Sequence, residues 1–421
     1  MKHIIIGNGP AGIVAAETIR KRSPHDQILI IGAEPEPPYS RMAIPYLLIG
    51  NIQESGTYLR KDPEHFKKLQ IELLQGRVIS VHPDLKKIKV DINQKQEELA
   101  YDKLLIATGS TPIRPPIEGM DLPGVYSCWT LQDARHIHEK TTKGTRVLQM
   151  GAGFIGCIIL EALASKDIEL TVVEMENRMV PRMMTQTGGQ MIKKWVESKG
   201  VRVFTQTKVE KITQDGKALK VSLSNGKSLE VDTIISATGI KANIDFLKGS
   251  GIHCEKGIFV DEYMKTSIPD IYAAGDVTES VDFSTGHRMI NAIQPNAADQ
   301  ATIAAVNMSG GVANTTGSFQ VNVLDTLGLI SSSFGLWAGI EGGEHAELVD
   351  EVNYKYLHLE FSDDMLVGAT SLGMTDHIGA MRGLIQTKVK LGHWKDKLLT
   401  DPTMIMQAYL EKGQEQASWK S

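Results

Sequence analysis

Gly7-Asn8-Gly9-Pro10-Ala11-Gly12 stands directly after the apolar run Ile4-Ile5-Ile6 and before an alanine-rich stretch. This order predicts a buried parallel strand, a tight glycine turn and a helix, which is the setting that the GxGxxG dinucleotide fingerprint requires. In such a motif Gly7 permits the turn, Gly9 lets the backbone approach a pyrophosphate, and Gly12 lets the helix pack closely on the strand. The N-terminus of the helix offers free N–H groups to the phosphates.

An acidic residue follows the first fingerprint at a useful distance. The apolar stretch Gln27–Ile31 predicts the next strand, and Glu34 comes just after it, 22 residues beyond Gly12. A carboxylate at about this spacing accepts a hydrogen bond from the ribose 2′-hydroxyl of a dinucleotide. We therefore expect Glu34 to belong to the first dinucleotide site.

The same pattern returns about 144 residues later as Gly151-Ala152-Gly153-Phe154-Ile155-Gly156. The strand predicted over Glu169–Glu174 ends in an acid 18 residues after Gly156, so a second dinucleotide is expected. Glu174 suits a free 2′-hydroxyl and would repel a 2′-phosphate, which favours NAD(H) over NADP(H). Arg178 and Arg182 weaken this preference, unless they are solvated loop residues or contact the pyrophosphate.

Length and composition exclude several classes of protein. The 421 residues suggest about two to four domains. The share of hydrophobic residues is 42% and that of charged residues 23%, as in globular proteins, and the net charge of −5 argues against binding to nucleic acid. Only three cysteines occur, too few for an iron–sulfur cluster, which normally needs about four thiolates. Neither a secretory signal nor an apolar run of about 20 residues is visible, so no membrane span and a cytoplasmic location are expected.

The pair of fingerprints resembles the two-dinucleotide flavoprotein reductases, which include NADH:rubredoxin reductases, ferredoxin reductases of oxygenase systems and the disulfide reductases of the pyridine nucleotide-disulfide oxidoreductase superfamily. Further segments resemble landmarks of these proteins. They are the two ATG turns within Tyr101–Pro112 and Ile235–Gly239, the second FAD motif Ile271–Val277, and Asn291–Ala298, which opens an alanine-rich helix. The resemblance implies FAD at the first fingerprint and NAD(H) at the second.

The resemblance also implies which residues bind each cofactor. The residues implied for FAD are Gly7, Gly9, Pro10, Ala11, Gly12, Glu34, Arg41, Ala107, Thr108, Gly109, Gly275, Asp276, Gln294, Asn296 and Ala297. The residues implied for NAD(H) are Gly151, Gly153, Phe154, Ile155, Gly156, Glu174, Arg182, Ala237, Thr238 and Gly239. Asp276 would accept a hydrogen bond from a ribitol hydroxyl. Arg41 would lie near the isoalloxazine or the pyrophosphate, the alternative being a surface loop arginine. No catalytic side chain and no metal site are expected.

The expected fold class is α/β, with two Rossmann-like domains and an α+β C-terminal interface domain. The NAD(H)-binding domain is predicted over residues 113–237, inserted in a discontinuous FAD-binding domain of residues 1–112 and 238–315. The interface domain is predicted over residues 316–393, and a homo-oligomer would form through this domain. Residues 394–421 form a tail with apolar residues, which either packs on the interface domain or docks to a partner subunit.

Departures from the related reductases narrow the chemistry. No cysteine precedes Cys128, which excludes the dithiol of the disulfide reductases. Met42 stands where the single-cysteine oxidases, peroxidases and coenzyme A disulfide reductases carry their thiol, and methionine forms neither a mixed disulfide nor a sulfenate. Tyr46 stands where many rubredoxin-type and oxygenase-type reductases have a lysine.

These departures favour electron transfer between the flavin and an iron–sulfur centre on a partner protein, in either direction. One alternative is the FAD subunit of a phenylglyoxylate dehydrogenase-type 2-oxoacid:NAD oxidoreductase, in which clusters reduce the flavin and the flavin reduces NAD⁺. A second is a stand-alone NADH oxidase or diaphorase that uses oxygen or quinone. A third is a flavin-bound signalling or assembly protein in which NADH acts as a ligand.

Overall fold

The computed structural model describes residues 1–418, and the side chains of residues 1–415. The chain forms two compact units, each built from two separate stretches. The first unit contains Met1–Ile113 and Ile240–Phe319, and the second contains Arg114–Gly239 and the chain from Gln320 onward.

The first stretch surrounds the Gly7–Gly12 turn with alternating strands and helices. Ile4, Ile5 and Ile6 are at most 4% exposed, as expected for a strand with neighbours on both sides. The elements are β1 (Lys2–Ile6), α1 (Pro10–Arg22), β2 (Gln27–Gly32), α2 (Ile44–Ile49), α3 (His65–Lys68), β3 (Ile71–Gln75), β4 (Arg77–His82), β5 (Lys87–Ile92), β6 (Lys95–Ala100), β7 (Lys103–Ile106) and β8 (Ser110–Pro112).

The second stretch repeats this arrangement around the Gly151–Gly156 turn. Its parallel sheet has the strand order β12-β11-β10-β16-β9, with the strand before the glycine turn at the centre. The elements are β9 (Val125–Ser127), α4 (Leu131–Lys140), β10 (Arg146–Met150), α5 (Phe154–Ala164), β11 (Glu169–Val173), α6 (Gln186–Ser198), β12 (Arg202–Phe204), β13 (Val209–Asp215), β14 (Ala218–Leu223), β15 (Ser228–Val231) and β16 (Thr233–Ser236).

The third stretch returns to the first sheet. Strand β19 pairs with β7, which completes a five-stranded sheet of order β19-β7-β1-β2-β3, and helix α7 packs on α1. The elements are β17 (Ile240–Ala242), β18 (Ile258–Phe259), β19 (Ile271–Ala273), β20 (Thr278–Val281), β21 (Arg288–Met289) and α7 (Gln294–Met308). Strands β8 and β17 pair where the chain leaves the first unit and where it re-enters it.

The fourth stretch is a five-stranded antiparallel sheet of order β22-β23-β26-β25-β24, followed by three helices. The elements are β22 (Val321–Thr326), β23 (Leu329–Gly335), β24 (Glu344–Asp350), β25 (Lys355–Ser362), β26 (Met365–Leu372), α8 (Ile378–Thr387), α9 (His393–Thr400) and α10 (Ile405–Ser418).

The apolar tail packs on its own stretch of chain over the residues that the structure describes. Trp394, Leu398 and Ile405 are at most 5% exposed, and α10 lies against α8. Tyr409 and Leu410 remain 40% and 54% exposed. Within the described chain no helix combines the length and the apolar character needed to cross a membrane.

Candidate functional site

The first glycine turn is built for close approach of backbone groups. Gly7 has a φ of +114°, and a Cβ atom there would collide with the carbonyl oxygen of Ala107. Gly9 is the N-cap of α1 and makes no side-chain cap, so the N–H groups of the first helical turn are not taken by a capping side chain. A Cβ at Gly9 would meet nothing within 4 Å. The turn therefore has the space and the donors for an anionic group such as a pyrophosphate.

Glu34, Tyr39 and Arg41 form one hydrogen-bonded set in the chain that follows β2, the strand paired with β1. The Tyr39 hydroxyl donates to Glu34 Oε2 at 2.5 Å, and Arg41 Nη2 donates to Glu34 Oε1 at 2.5 Å. Arg41 also donates to the Tyr39 hydroxyl at 2.9 Å. Arg41 is thus held by two side chains of its own unit and is not a free loop cation.

Asp276 supplies a second carboxylate in this unit. Its Oδ2 accepts a hydrogen bond from Ser110 at 2.9 Å. Burial raises the pKa of Asp276, while the bond from Ser110 and the positive charge of Arg41 act in the opposite direction. A half-buried acceptor of this kind suits a hydroxyl donor on a ligand.

Gln300, which sequence reasoning missed, holds the turn that carries Asp276. Its Oε1 accepts from Gly275 N at 2.8 Å and from Thr278 Oγ1 at 3.1 Å. Its Nε2 donates to Ser280 Oγ at 3.1 Å and to Ser318 Oγ at 3.2 Å. The side chain is 5% exposed and all its hydrogen-bonding capacity is used. Its only signal in the sequence is a polar residue on the buried face of an alanine-rich helix.

Asn243 plays a similar part at the first ATG turn. Its Nδ2 donates to the Thr108 carbonyl at 2.9 Å, and its backbone N–H donates to the Gly109 carbonyl at 3.0 Å. The Thr108 hydroxyl in turn donates to the Asn243 carbonyl at 2.9 Å. These bonds close the turn from the returning strand.

An open cavity of about 500 Å³ lies in the first unit. It is lined by Ser40, Met42, Ala43, Tyr46, Gln294, Pro295 and Ala298. Met42 and Tyr46 are 47% and 56% exposed, and Ser40 donates to Gln294 Oε1 at 2.7 Å. No thiol is among the lining side chains. Of the other residues predicted on α7, Asn296 and Ala297 are buried in its first turns.

The second glycine turn has the same construction as the first. Gly151 has a φ of +96°, and a Cβ atom there would collide with the carbonyl oxygen of Ala237. Gly153 caps α5 without a side-chain bond and faces open space, while Gly156 is buried against the Gly151 carbonyl. Phe154 and Ile155 begin α5.

Glu174 is bonded directly to this turn. Its Oε2 accepts from Ala152 N at 2.6 Å and its Oε1 from Glu176 N at 2.9 Å. The residue is only 5% exposed, and each carboxylate oxygen keeps a second acceptor position. Met175, the next residue, is 58% exposed.

The other predicted NAD(H) residues lie in the loop that follows Glu174 or directly after β16, the strand that pairs with β10. Arg182 is exposed, whereas Arg178 braces its own loop through bonds to the carbonyls of Met184 and Pro181. Thr238 is exposed after β16 and lies 3.3 Å from Ser236 through the two hydroxyl oxygens. All fifteen residues predicted for FAD lie in the first unit, and all ten predicted for NAD(H) lie in the second. Their roles stay predictions.

The three cysteines are unsuited to thiolate chemistry. Burial raises the pKa of Cys128 and of Cys157 to about 12, and it also raises the pKa of Cys254. Thiols in this state are protonated and poorly nucleophilic. Among the described residues, no three His, Cys, Asp or Glu side chains are grouped to hold a metal ion.

Two glycine turns at the ends of central parallel strands, each with an acid after the next strand, define a class of proteins that bind two dinucleotides. Residues 1–302 match the family described as pyridine nucleotide-disulphide oxidoreductase. The chain belongs to this family.

Three known proteins show the range of the similarity. The chain is 38% identical to an NADH oxidase of Methanocaldococcus jannaschii over 320 residues, which are 74% of this chain and 70% of the relative. It is 28% identical to the NADH-dependent phenylglyoxylate dehydrogenase subunit epsilon of Aromatoleum evansii over 413 residues, which are 96% of each chain. The solved structure of an NAD-dependent persulfide reductase from A. fulgidus has a TM-score of 0.86 at 30% identity and covers 93% of this chain and 78% of that chain.

The family match, the named relatives and the fold together confirm four predictions from the sequence. They are the family, the mixed α/β fold with two parallel sheets, the use of FAD and NAD(H), and an NAD(H)-linked oxidoreductase activity. The residues present fit both cofactors, because each glycine turn offers an open helix N-terminus and each unit has an acid just after the strand that pairs with the one before its turn.

Proposed function

We propose that this FAD-dependent oxidoreductase exchanges a hydride with NAD(H) and passes electrons between its flavin and an iron–sulfur centre on a partner protein. When bound, the flavin would supply the redox chemistry, because it can take part in both two-electron and one-electron transfer. The chain's own residues bind and orient: the Gly7–Gly12 turn, Glu34, Arg41 and Asp276 would hold FAD, and the Gly151–Gly156 turn and Glu174 would hold NAD(H).

The observation that carries the proposal is the nature of the cavity wall. Met42 contributes a thioether there, which forms no disulfide and no sulfenate. The three cysteines lie elsewhere, and burial keeps their thiols protonated. Electrons therefore leave or enter the chain without a protein thiol, as suits the rubredoxin and ferredoxin reductases that the sequence resembles.

Two alternatives have specific support. The similarity to the epsilon subunit of phenylglyoxylate dehydrogenase extends over 413 residues, well past the part matched by the family. This supports a subunit of a 2-oxoacid:NAD oxidoreductase, in which partner clusters would deliver electrons and NAD⁺ would take them. The 38% identity to an NADH oxidase supports oxygen as the acceptor.

The native complex and the acceptor decide among these functions. We would recover the protein from its host under anaerobic conditions, identify its stoichiometric companions, and compare NADH oxidation with oxygen, quinone and a rubredoxin or ferredoxin. We expect reduction of the iron–sulfur protein to be faster than reduction of oxygen. A free protein with oxygen as its best acceptor would contradict the proposal, and companions that carry thiamine and clusters would identify the complex subunit.

Met42→Ala should leave anaerobic reduction of the flavin by NADH within about twofold of the wild-type rate. The reason is that a thioether supplies no acid, base or nucleophile, so its removal takes away no transition-state interaction. Stopped-flow absorbance in the visible flavin band measures the rate. A large loss with normal FAD content would mean that the Met42 side chain takes part in the chemistry.

A further inference from the structure

Tyr356 lies near the start of β25, the strand next to the edge of the C-terminal sheet, yet it touches the helix that follows the loop after Glu174. Its side chain is fully buried. A Cβ atom added to Gly188, in the first turn of α6, would lie 3.3 Å from the Tyr356 ring and collide more closely with Met184. Glycine at this position therefore lets the ring pack directly against the start of the helix.

The Tyr356 hydroxyl extends this contact as a directed chain of hydrogen bonds. It donates to Glu347 Oε1 at 2.7 Å, and its oxygen lies 2.6 Å from Thr185 Oγ1. Because an ionised carboxylate only accepts, the Tyr356 proton points to Glu347 and the Thr185 hydroxyl must donate to Tyr356. Burial, and then the Glu347 carboxylate, raise the pKa of Tyr356, so the hydroxyl keeps its proton.

Thr185 is the N-cap of α6. Its side-chain oxygen accepts from Gly188 N at 3.3 Å, so the same hydroxyl caps the helix and donates to Tyr356. A threonine hydroxyl has one proton and two lone pairs, and this geometry uses the proton and one lone pair. The Thr185 side chain thus adds a hydrogen-bonded link between the start of α6 and the C-terminal sheet.

The loop before α6 needs such an anchor because its backbone is strained. Val180 has a φ of +44°, a left-handed conformation that is costly for a β-branched residue. In this conformation Val180 N donates to the carbonyl of Ala152 in the glycine turn at 2.8 Å. Met183 N and Met184 N then bond to the Val180 carbonyl, and both side chains are at most 2% exposed. Strain of this kind persists only where the surroundings hold it.

We infer that Tyr356 is a positioning residue for NAD(H): through Thr185 it holds the loop between Glu174 and α6 in the shape that keeps Ala152 and Glu174 ready for the dinucleotide. The inference rests on the proposed assignment of the Gly151–Gly156 turn and Glu174 to NAD(H). It gives the C-terminal sheet a role in binding the nicotinamide cofactor.

Tyr356→Phe tests the inference, since it removes the hydroxyl and keeps the ring. Titration of NAD⁺ into the oxidised, FAD-loaded protein by calorimetry gives the affinity without any flavin reduction. We expect the Kd for NAD⁺ to rise about three- to tenfold, as for the loss of one or two hydrogen bonds. The FAD content and the rate of flavin reduction at saturating NADH should stay close to wild type.

Tyr354→Phe is the matched control. Tyr354 precedes β25 and its ring contacts Trp195 of the same helix α6 at a centroid distance of 5.0 Å, while its hydroxyl has no hydrogen-bond partner among the described side chains. This variant should bind NAD⁺ like the wild type. Thr185→Ser keeps the hydroxyl and should also retain affinity, whereas Thr185→Val should lose it and add little to the loss in Tyr356→Phe.

Several results would overturn the inference. Unchanged NAD⁺ affinity in Tyr356→Phe would do so, and so would a parallel loss of FAD and thermal stability, which indicates a merely structural tyrosine. A different result would contradict the proposed function: a wild-type protein that binds NAD⁺ but whose flavin is not reduced by NADH. A wild-type protein that binds no NAD⁺ would overturn both.

Discussion

Glu174→Ala is expected to lower kcat/KM for NADH by about 10- to 100-fold and to reduce the preference for NADH over NADPH. The carboxylate accepts backbone bonds from Ala152 and Glu176 and keeps acceptor positions for a ribose diol. Loss of a hydrogen bond to a charged group is worth about 1.5–3 kcal/mol. Removal of the Glu174 carboxylate also ends the repulsion of a 2′-phosphate, so kcat/KM for NADPH should fall less than kcat/KM for NADH. Steady-state kinetics with both cofactors give the ratio.

A second substitution, at the exposed residue next to Glu174, should shift the cofactor preference further towards NADPH. Met175 is 58% exposed, and Met175→Arg in the Glu174→Ala background should raise kcat/KM for NADPH, because a cation there can pair with the 2′-phosphate. Glu169→Ala is the control, since Glu169 is the exposed first residue of the same strand β11. An unchanged NADH-to-NADPH ratio in Glu174→Ala would refute the assigned role.

Glu174 also shows which features could be predicted from the sequence. Its position follows from a local pattern of a strand, a glycine turn, a helix and a second strand. The geometry of these consecutive elements sets the spacing between the glycines and the acid. The positive φ values of Gly7 and Gly151 follow from the same pattern. Glu34 was predicted in the same way, and the structure adds its bonds to Tyr39 and Arg41.

The residues that sequence reasoning missed depend on contacts between distant parts of the chain. Asn243 and Thr108 are separated by 135 positions, and Thr185 and Tyr356 by 171. No local periodicity reports such pairs, because tertiary packing alone decides which side chains meet. Strand β24 shows the same effect: its sequence EHAELVD has few β-branched residues, and its pairing with β25 overrides that weak local preference.

Asp276→Asn should have two effects of opposite sign, weaker binding of FAD and a more stable apoprotein. The carboxylate would accept a hydrogen bond from a ribitol hydroxyl, and an amide oxygen accepts more weakly than a charged one. We expect FAD affinity to fall about tenfold. Asp299→Asn, an exposed aspartate on α7, is the control and should change neither property.

The gain in stability follows from the ionisation of Asp276. Burial raises the pKa of Asp276 in the folded apoprotein, so the folded state binds a proton that the unfolded state has already released. The stability that belongs to this group is therefore present below its usual pKa and is lost as pH rises through the folded-state value. Asparagine carries no charge at any of these pH values and avoids the loss.

The pH dependence separates this cause from a general change in packing. The difference in Tm between Asp276→Asn and wild-type apoprotein should be smallest at acid pH, near the usual carboxyl pKa of about 4, and should grow as the pH rises towards about 8. A gain of about 1 kcal/mol corresponds to a few degrees in Tm. A gain that is independent of pH would point to packing, and a lower Tm at neutral pH would mean that Ser110 and Arg41 outweigh burial in stabilising the charged form.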